Sequence, residues 1–210
     1  HFFSQTNKGF NLINFDESLL SLNLQYVSGD TYLKSHKIKS PIVNTDAGIL
    51  TSSLKLNAYR DDLSITTDFY IYEDLIKDSS DRYEYVYPNF SIEKQLRNKT
   101  KLNGDFSINS YGYLKNYNTN IYKQNLVNDL TFTSSQMYSR VGMVNNYNLL
   151  VKNVNSHTSS SEKNLSRVAS IAEFNSSFPM EKLSEGYTSI LKPMTSLKFS
   201  PNKTKNMSSD

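Results

Sequence analysis

The stretch LSLNLQY, residues 20–26, decides the fold class because every second residue in it is apolar. Leucine or tyrosine occupies the even positions, and serine, asparagine or glutamine occupies the odd positions. Successive side chains of a β-strand point to opposite faces, so the pattern predicts a strand with one apolar and one polar face. A helix would need apolar residues three or four positions apart, and this stretch does not have that spacing.

The same alternation recurs along most of the chain, in about nine segments separated by polar turns. Clear cases lie at 63–71, 102–108, 130–133 and 191–199. In one segment the apolar parity changes from odd, at Tyr83, Tyr85 and Tyr87, to even, at Phe90 and Ile92, which predicts a change of phase at Pro88. Short and long connections alternate, which predicts short turns on one rim of a barrel and long loops on the other. No repeat of fixed length occurs, which argues against a propeller or a solenoid.

The composition fits a sheet in which only alternate residues need to be apolar. The hydrophobic share is 37%, yet the aromatic share is 12%, carried by 15 Tyr and 11 Phe. A disordered chain would be poor in aromatic residues. No apolar run is long enough to predict a transmembrane helix. Alternation alone leaves two interpretations open, a membrane barrel and a soluble β-sandwich, and the hydroxyl and amide side chains of the polar parity are suited to a barrel lumen.

Tyrosine placement favours the barrel. Aromatic rings with one polar atom are enriched where a membrane meets water, and a group of tyrosines is predicted to lie near strand ends and turns. Tyrosine is also a common strand former, and Trp is absent, so this preference does not exclude the sandwich. The group comprises Tyr83, Tyr85, Tyr87, Tyr111, Tyr113, Tyr117 and Tyr122.

The residues that carry chemistry elsewhere form no recognisable constellation here. Cysteine is absent, and the histidines, His1, His36 and His157, are far apart and in no metal-binding motif, so we predict no metal and no cofactor. The chain has neither a nucleophile elbow nor a glycine-rich phosphate loop. Two carboxylate pairs, Asp61-Asp62 and Glu73-Asp74, fall at predicted turns and are interpreted as solvated loop charges. We therefore predict that the protein is not an enzyme.

The charge pattern points away from nucleic acid and toward one small basic cluster. The formal net charge is only +3 and the charges are dispersed, so no nucleic-acid footprint is predicted. Lys34, Lys37 and Lys39 surround His36. They are candidates to contact the anionic phosphates of a glycolipid headgroup, and the alternative is a solvated loop.

Three segments occur in an order that a known family shares. The first, LQYVSGDTYLK at 24–34, is an amphipathic strand that runs into a turn. The second, RYEYVYPNFS at 82–91, leads through aromatic and acidic residues into Pro88. The third combines Arg167-Val168 with the segments LKPM at 191–194 and FSPN at 199–202. In this order they resemble the barrel domain of the LptD family, the outer-membrane lipopolysaccharide-assembly proteins.

The resemblance implies an all-β fold in which residues 1–210 are part of one antiparallel transmembrane β-barrel domain. The expected form is a curved, incomplete sheet of about 8–10 strands, without the family's N-terminal jelly-roll domain and closing strands. The family's cysteines would lie outside such a fragment. The implied role is lipopolysaccharide transport and assembly at the outer leaflet of the Gram-negative outer membrane. The implied partners of the full-length protein are lipopolysaccharide, the plug lipoprotein LptE and the periplasmic bridge protein LptA.

Three other classes remain open at this point. Another large barrel, such as a porin or a plugged nutrient transporter, would share the alternation and the aromatic placement. A secreted soluble β-sandwich would share the alternation. A carbohydrate-active enzyme on a β scaffold would need paired carboxylates at one rim.

Overall fold

The computed structural model describes residues 1–37, 40–44, 48–78, 81–96, 102–117, 120–160 and 164–201, and these form almost nothing but strands. One helix of five residues, α1, interrupts them. The elements in chain order are β1 (Phe2–Gly9), β2 (Glu17–Tyr26), α1 (Tyr32–His36), β3 (Ile49–Arg60), β4 (Leu63–Asp74), β5 (Tyr83–Leu96), β6 (Gly104–Tyr117), β7 (Ile121–Ser134), β8 (Met137–Tyr138), β9 (Val144–Thr158), β10 (Leu165–Ser177), β11 (Met180–Ser184), β12 (Tyr187–Leu191) and β13 (Met194–Phe199).

Eleven strands form one antiparallel sheet that does not close on itself. Ten of them follow one another in the order β1-β2-β3-β4-β5-β6-β7-β9-β10-β13, and the short β8 pairs with β9. Strands β11 and β12 form a separate hairpin. The predicted all-β class and the curved, incomplete antiparallel sheet are confirmed, and the ten-strand path lies at the upper end of the expected number.

Cross-strand register divides the sheet into two faces of different chemistry. Residues paired across neighbouring strands point to the same side, so Leu54 shares a face with Phe69, and Lys55 shares the other face with Asp68. The same pairing continues across the neighbouring strands from β2 to β10, so the sheet has an apolar face and a polar face. The even-numbered residues of 20–26 all lie on the apolar face.

Strand β5 contains the predicted change of phase. Its pairing with β4 steps from Asp68 opposite Asn89 to Tyr70 opposite Val86, and its pairing with β6 shifts between the same two β5 residues. A β-bulge places one extra residue in a strand without a partner of its own. The bulge at 87–88 therefore lets Tyr85 and Phe90 share the apolar face although their sequence parities differ.

The long connection after β2 folds back over the end of the sheet and has its own small core. Its buried side chains are Val27, Leu33, Val43, Leu50 and Leu75, and partly buried Phe3 and Tyr32 pack against them. Two of these leucines, Leu33 and Leu50, are only 1% exposed. Among the residues that the structure describes, this cluster brings together apolar side chains that are almost fully buried.

Short and long connections occur at both ends of the strands. The two-residue turn 61–62 lies at the same end as the long connection between β10 and β13, and the long connection between β2 and β3 lies at the same end as the short one between β6 and β7. The predicted separation of short turns and long loops between two rims is therefore wrong. Among the residues that the structure describes, no helix has the length and apolarity needed to cross a membrane.

Candidate functional site

Large apolar side chains cover the apolar face from β3 to β10 and remain partly open to solvent. Eleven of them are between 37% and 59% exposed, although they sit well within the sheet. A soluble protein normally buries such a face against a second layer, and no second layer covers this one in the described part of the chain. These side chains are Leu54, Phe69, Ile71, Ile92, Ile108, Leu126, Leu130, Leu149, Val151, Val168 and Phe174.

Formal charge is confined to the margins of this face. Within the described strands of the main sheet, the charged side chains on the apolar face are Lys8, Arg60, Glu73 and Lys94. Each lies at a strand end or within two residues of one. The middle of the face therefore presents only uncharged side chains over strands of 12 to 15 residues.

The polar face carries lysines that contact tyrosine and are positioned next to a carboxylate. Lys152 Nζ lies 3.0 Å from Asp129 Oδ2 and 3.2 Å from Tyr111 Oη. The same combination recurs twice. Lys115 Nζ lies 2.6 Å from Glu84 Oε1 and 4.9 Å from the centre of the Tyr117 ring. Lys55 Nζ lies 5.2 Å from the centre of the Tyr70 ring, opposite Asp68.

Unused hydrogen-bond acceptors collect on the same polar face. The Oδ1 atoms of six residues are buried and accept no hydrogen bond from the part of the protein that the structure describes. Asn109 and Asp129 are direct cross-strand neighbours, so two of these acceptors lie side by side. A buried acceptor without a donor costs about 1–3 kcal/mol, so each of these atoms lowers the stability of the sheet by about that amount. The six are Asn23, Asp68, Asn109, Asn125, Asp129 and Asn148.

The predicted lysine cluster lies beyond the ends of the strands, on the connection between β2 and β3. Lys34 is in α1 and Lys37 directly follows it with a left-handed backbone, and both side chains are exposed. Lys39 lies outside the described residues. Lys34 and Lys37 therefore point to solvent, which is compatible both with a contact to headgroup phosphates and with a solvated loop.

Arg82 joins that connection to the sheet. Its Nη2 atom lies 2.6 Å from Asp30 Oδ1 and 2.8 Å from Glu73 Oε1, while Tyr83 Oη donates to the same Glu73 oxygen at 3.0 Å. The hydrogen bond to Asp30, followed by the one to Glu73, raises the pKa of the Arg82 guanidinium above its already high ordinary value. Glu73 is only 9% exposed, so this arginine neutralises a nearly buried carboxylate.

Asp61 and Asp62 stabilise the turn in which they lie, whereas Glu73 and Asp74 end β4 and nearly buried Glu73 is not the solvated loop charge that was predicted. Asp62 accepts a hydrogen bond from Arg60 Nε at 2.7 Å, and this contact lowers the pKa of the Asp62 carboxyl. Asp61 donates its backbone N–H to Asp16. Asp74 accepts from the backbone N–H two residues onward. Neither pair presents two carboxylates to one open cleft.

The structure separates His157 from the other two histidines. His1 and His36 both contact the Tyr32 ring, so these two histidines lie close together. His157 is hydrogen-bonded to Asn164 near the end of β9. No group of three or more His, Cys, Asp or Glu side chains that could hold a metal occurs among the residues in the described ranges.

The predicted tyrosine group splits between the two faces. Tyr83 and Tyr122 lie near strand ends on the apolar face, as expected of an interfacial position. Tyr111 and Tyr113 lie within β6 on the polar face, where Tyr111 contacts Lys152, so their predicted position near a strand end is wrong.

No known family model matches this chain, and no curated protein matches it either. Its candidate site must therefore be interpreted from its own residues.

Sequence reasoning missed the lysine groups of the polar face and the Arg82 contact. A signal for the first was present, because Lys55, Asp68, Asp129 and Lys152 are charges at polar-parity positions in the middle of strands. Charges at such positions indicate a face on which polar side chains are supported by one another. The contact between Arg82 and Asp30 had no comparable signal, because it depends on how a long connection folds.

Proposed function

We propose that this chain forms part of the wall of an outer-membrane β-barrel that transports lipopolysaccharide. In this arrangement the apolar face meets lipid and the polar face lines the lumen. The observation that carries the proposal is the division of one open sheet into an uncharged apolar face and a charged, hydrogen-bonded polar face. Transmembrane barrels have this alternation, with apolar residues outward and polar residues inward.

Energetics support lipid as the solvent of the apolar face. Completing the burial of a side chain that is already about half buried is worth roughly 1 kcal/mol, so eleven such side chains represent on the order of 10 kcal/mol. That is comparable to the whole stability of a typical domain. The strands are long enough for this role, because a tilted strand crosses the hydrocarbon layer with about 9–11 residues.

The free edges support a wall that continues beyond these strands. In the described sheet, β1 pairs only with β2, and β13 pairs only with β10. Unpaired backbone groups at an edge are too costly to leave in lipid, so spanning sheets close into barrels. We infer that further strands pair with these edges in the functional protein.

Lipopolysaccharide as the transported molecule is supported by the ordered resemblance to the LptD family. Two of the resembling segments, 24–34 and 82–91, meet in space through Asp30 and Arg82. The role we propose is physical, with acyl chains entering the membrane while the sugar portion crosses the polar lumen, and without covalent catalysis. LptE would occupy the lumen and LptA would deliver lipopolysaccharide to the full-length protein.

The polar face is suited to such a lumen. Its paired charges and its amide and hydroxyl side chains are suited to contact with sugar hydroxyls, a plug protein or water. Beyond the ends of the strands, the exposed Lys34 and Lys37, together with Lys39, would contact anionic headgroup phosphates. Replacing all three lysines with alanine should weaken adsorption of the full-length protein to anionic vesicles, while zwitterionic vesicles serve as the control.

Depletion of the full-length protein tests the proposal. We expect the protein in the outer-membrane fraction and a fall in surface lipopolysaccharide after depletion, measured by surface labelling. Outer-membrane localisation with unchanged surface lipopolysaccharide would indicate a barrel of another function, such as a porin. Recovery in the soluble fraction without detergent would refute the barrel itself.

A further inference from the structure

A cleft of about 680 Å³ lies on the apolar face where β5, β6, β7, β9 and β10 are side by side. Its size falls within the range of roughly 300–1,000 Å³ that is typical of ligand sites. Most of the side chains that line it belong to the apolar face, and the intervening residues contribute backbone. The lining residues that matter here are Pro88, Phe90, Leu126, Gln124, Asn155 and His157.

Gly112 lies next to the cleft and leaves a gap between two of the residues that line it. It lies in β6 directly between Phe90 and Leu126, so two large apolar side chains flank a position that has none. A Cβ atom at Gly112 would come within 2.2 Å of the backbone oxygen of Asn125, so no other residue fits without moving the strand. The result is a trough that is open between apolar walls.

The other wall is a hydrogen-bonded ladder of polar side chains from β9 and β10. Asn155 Nδ2 donates to Asn153 Oδ1 at 2.5 Å, and Ser166 Oγ donates to Asn155 Oδ1 at 2.8 Å. Toward the strand ends, His157 and Asn164 are hydrogen-bonded to each other. The cleft is therefore apolar where β5 and β6 line it and polar where β9 and β10 line it.

No aspartate, glutamate, lysine or arginine is among the described residues that line the cleft. An anionic headgroup would require a lysine or arginine partner to offset its desolvation. Amide side chains supply both donors and acceptors, so they match a head that carries both an ammonium donor and phosphate acceptors. The charge pattern thus favours a zwitterionic lipid over an anionic one.

We propose that this cleft binds one molecule of a zwitterionic phospholipid. An acyl chain lies along the apolar lining formed by Phe90, Leu114 and Leu126, and the head lies against the amides near His157 and Asn164. The inference rests on the proposed function, because it requires the apolar face to meet lipid. It adds a defined lipid site to what would otherwise be a uniform outer wall.

The test uses the full-length protein extracted in mild detergent and native mass spectrometry. The probes are dioleoylphosphatidylethanolamine and the anionic dioleoylphosphatidylglycerol, added at equal mole fractions. We expect one retained phosphatidylethanolamine per protein and at least about tenfold less retained phosphatidylglycerol, which corresponds to about 1.4 kcal/mol.

Leu126→Trp fills the trough and should lower phosphatidylethanolamine retention at least about fivefold. Leu130→Trp is the matched control, because Leu130 lies on the same strand and face with similar exposure but does not line the cleft. Asn155→Leu should abolish the preference between the two lipids. Folding of each variant is checked by its migration on unboiled gels.

Equal losses in the two tryptophan variants, or equal retention of the two lipids by the unaltered protein, would overturn the lipid site. Either result would leave the barrel proposal intact if the protein still fractionates with the outer membrane. Failure of the protein to enter bilayers would overturn both.

Discussion

Leu54→Arg tests whether the apolar face meets lipid. Leu54 is the sixth residue of the twelve-residue strand β3, and its cross-strand neighbours on the same face are Leu22 and Phe69. It is 39% exposed, so in water a long arginine side chain would reach solvent and cost about 1 kcal/mol or less. At the middle of a bilayer, arginine on the lipid face costs about 2–4 kcal/mol.

The assay is guanidinium unfolding of the full-length protein in phospholipid vesicles, followed by circular dichroism. Ser53→Arg is the matched control, because Ser53 adjoins Leu54 but lies on the polar face, at a cleft of about 460 Å³ that has room for a longer side chain. We expect Leu54→Arg to lower the free energy of unfolding by at least about 2 kcal/mol, and Ser53→Arg by less than about 1 kcal/mol. Equal losses in the two variants, or a loss below about 1 kcal/mol at Leu54, would refute the assignment of the faces.

Three further predictions concern single contacts. Gly112→Ala should destabilise the protein by about 1–3 kcal/mol in the same assay, because the new methyl group meets backbone. Arg82→Ala should speed hydrogen exchange in 27–37 and cost about 1–3 kcal/mol, because nearly buried Glu73 loses its cation. Arg60→Ala should raise the pKa of the Asp62 carboxyl, measured by carbon NMR titration. Since the pair lowers that pKa, its contribution to stability is present above the ordinary value of 3.8 and is lost as pH falls through the lowered value.

Each of these has a control within the chain. A methyl group added at Gly29 would meet no atom within 4 Å, so Gly29→Ala should change stability little, and a loss equal to that at Gly112 would contradict the close-approach argument. Lys77 is exposed and lies 3.9 Å from Asp74, so Lys77→Ala should leave exchange in 27–37 unchanged. An Asp62 pKa that does not move in Arg60→Ala would exclude the guanidinium as its cause.

Much of the fold follows from local pattern. Alternation is a property of adjacent residues, so it located β2, β4, β5, β6 and β7, and the parity change between Tyr87 and Phe90 located the bulge in β5. The alternating segment 191–199, by contrast, is divided between β12 and β13, which belong to different sheets. The predicted separation of short turns from long loops failed because it depends on which strands pair, and the parity of apolar residues does not indicate which strands pair. The small core around Leu33 was likewise hidden, because it joins residues from several connections and strand ends.

The candidate site was less predictable for the same reason. Lys34 and Lys37 were found as a local cluster, but their neighbour Asp30 meets Arg82 only after two distant segments fold together. Tyr111 and Tyr113 could have been placed correctly, because Ile108 and the apolar residues of β6 have the opposite parity. Grouping these tyrosines by residue type instead of by parity led to the wrong position.

The bulge at 87–88 also determines where β5 can change in length during evolution. A one-residue insertion or deletion within a regular half of the strand would turn every later side chain onto the opposite face, exchanging tyrosine and isoleucine for glutamate and serine. At the bulge an extra residue is already accommodated, and the two halves keep their separate registers. Related sequences should therefore vary by single residues in β5 only at this position, and under the proposed function it is where strand length would be matched to the thickness of the membrane.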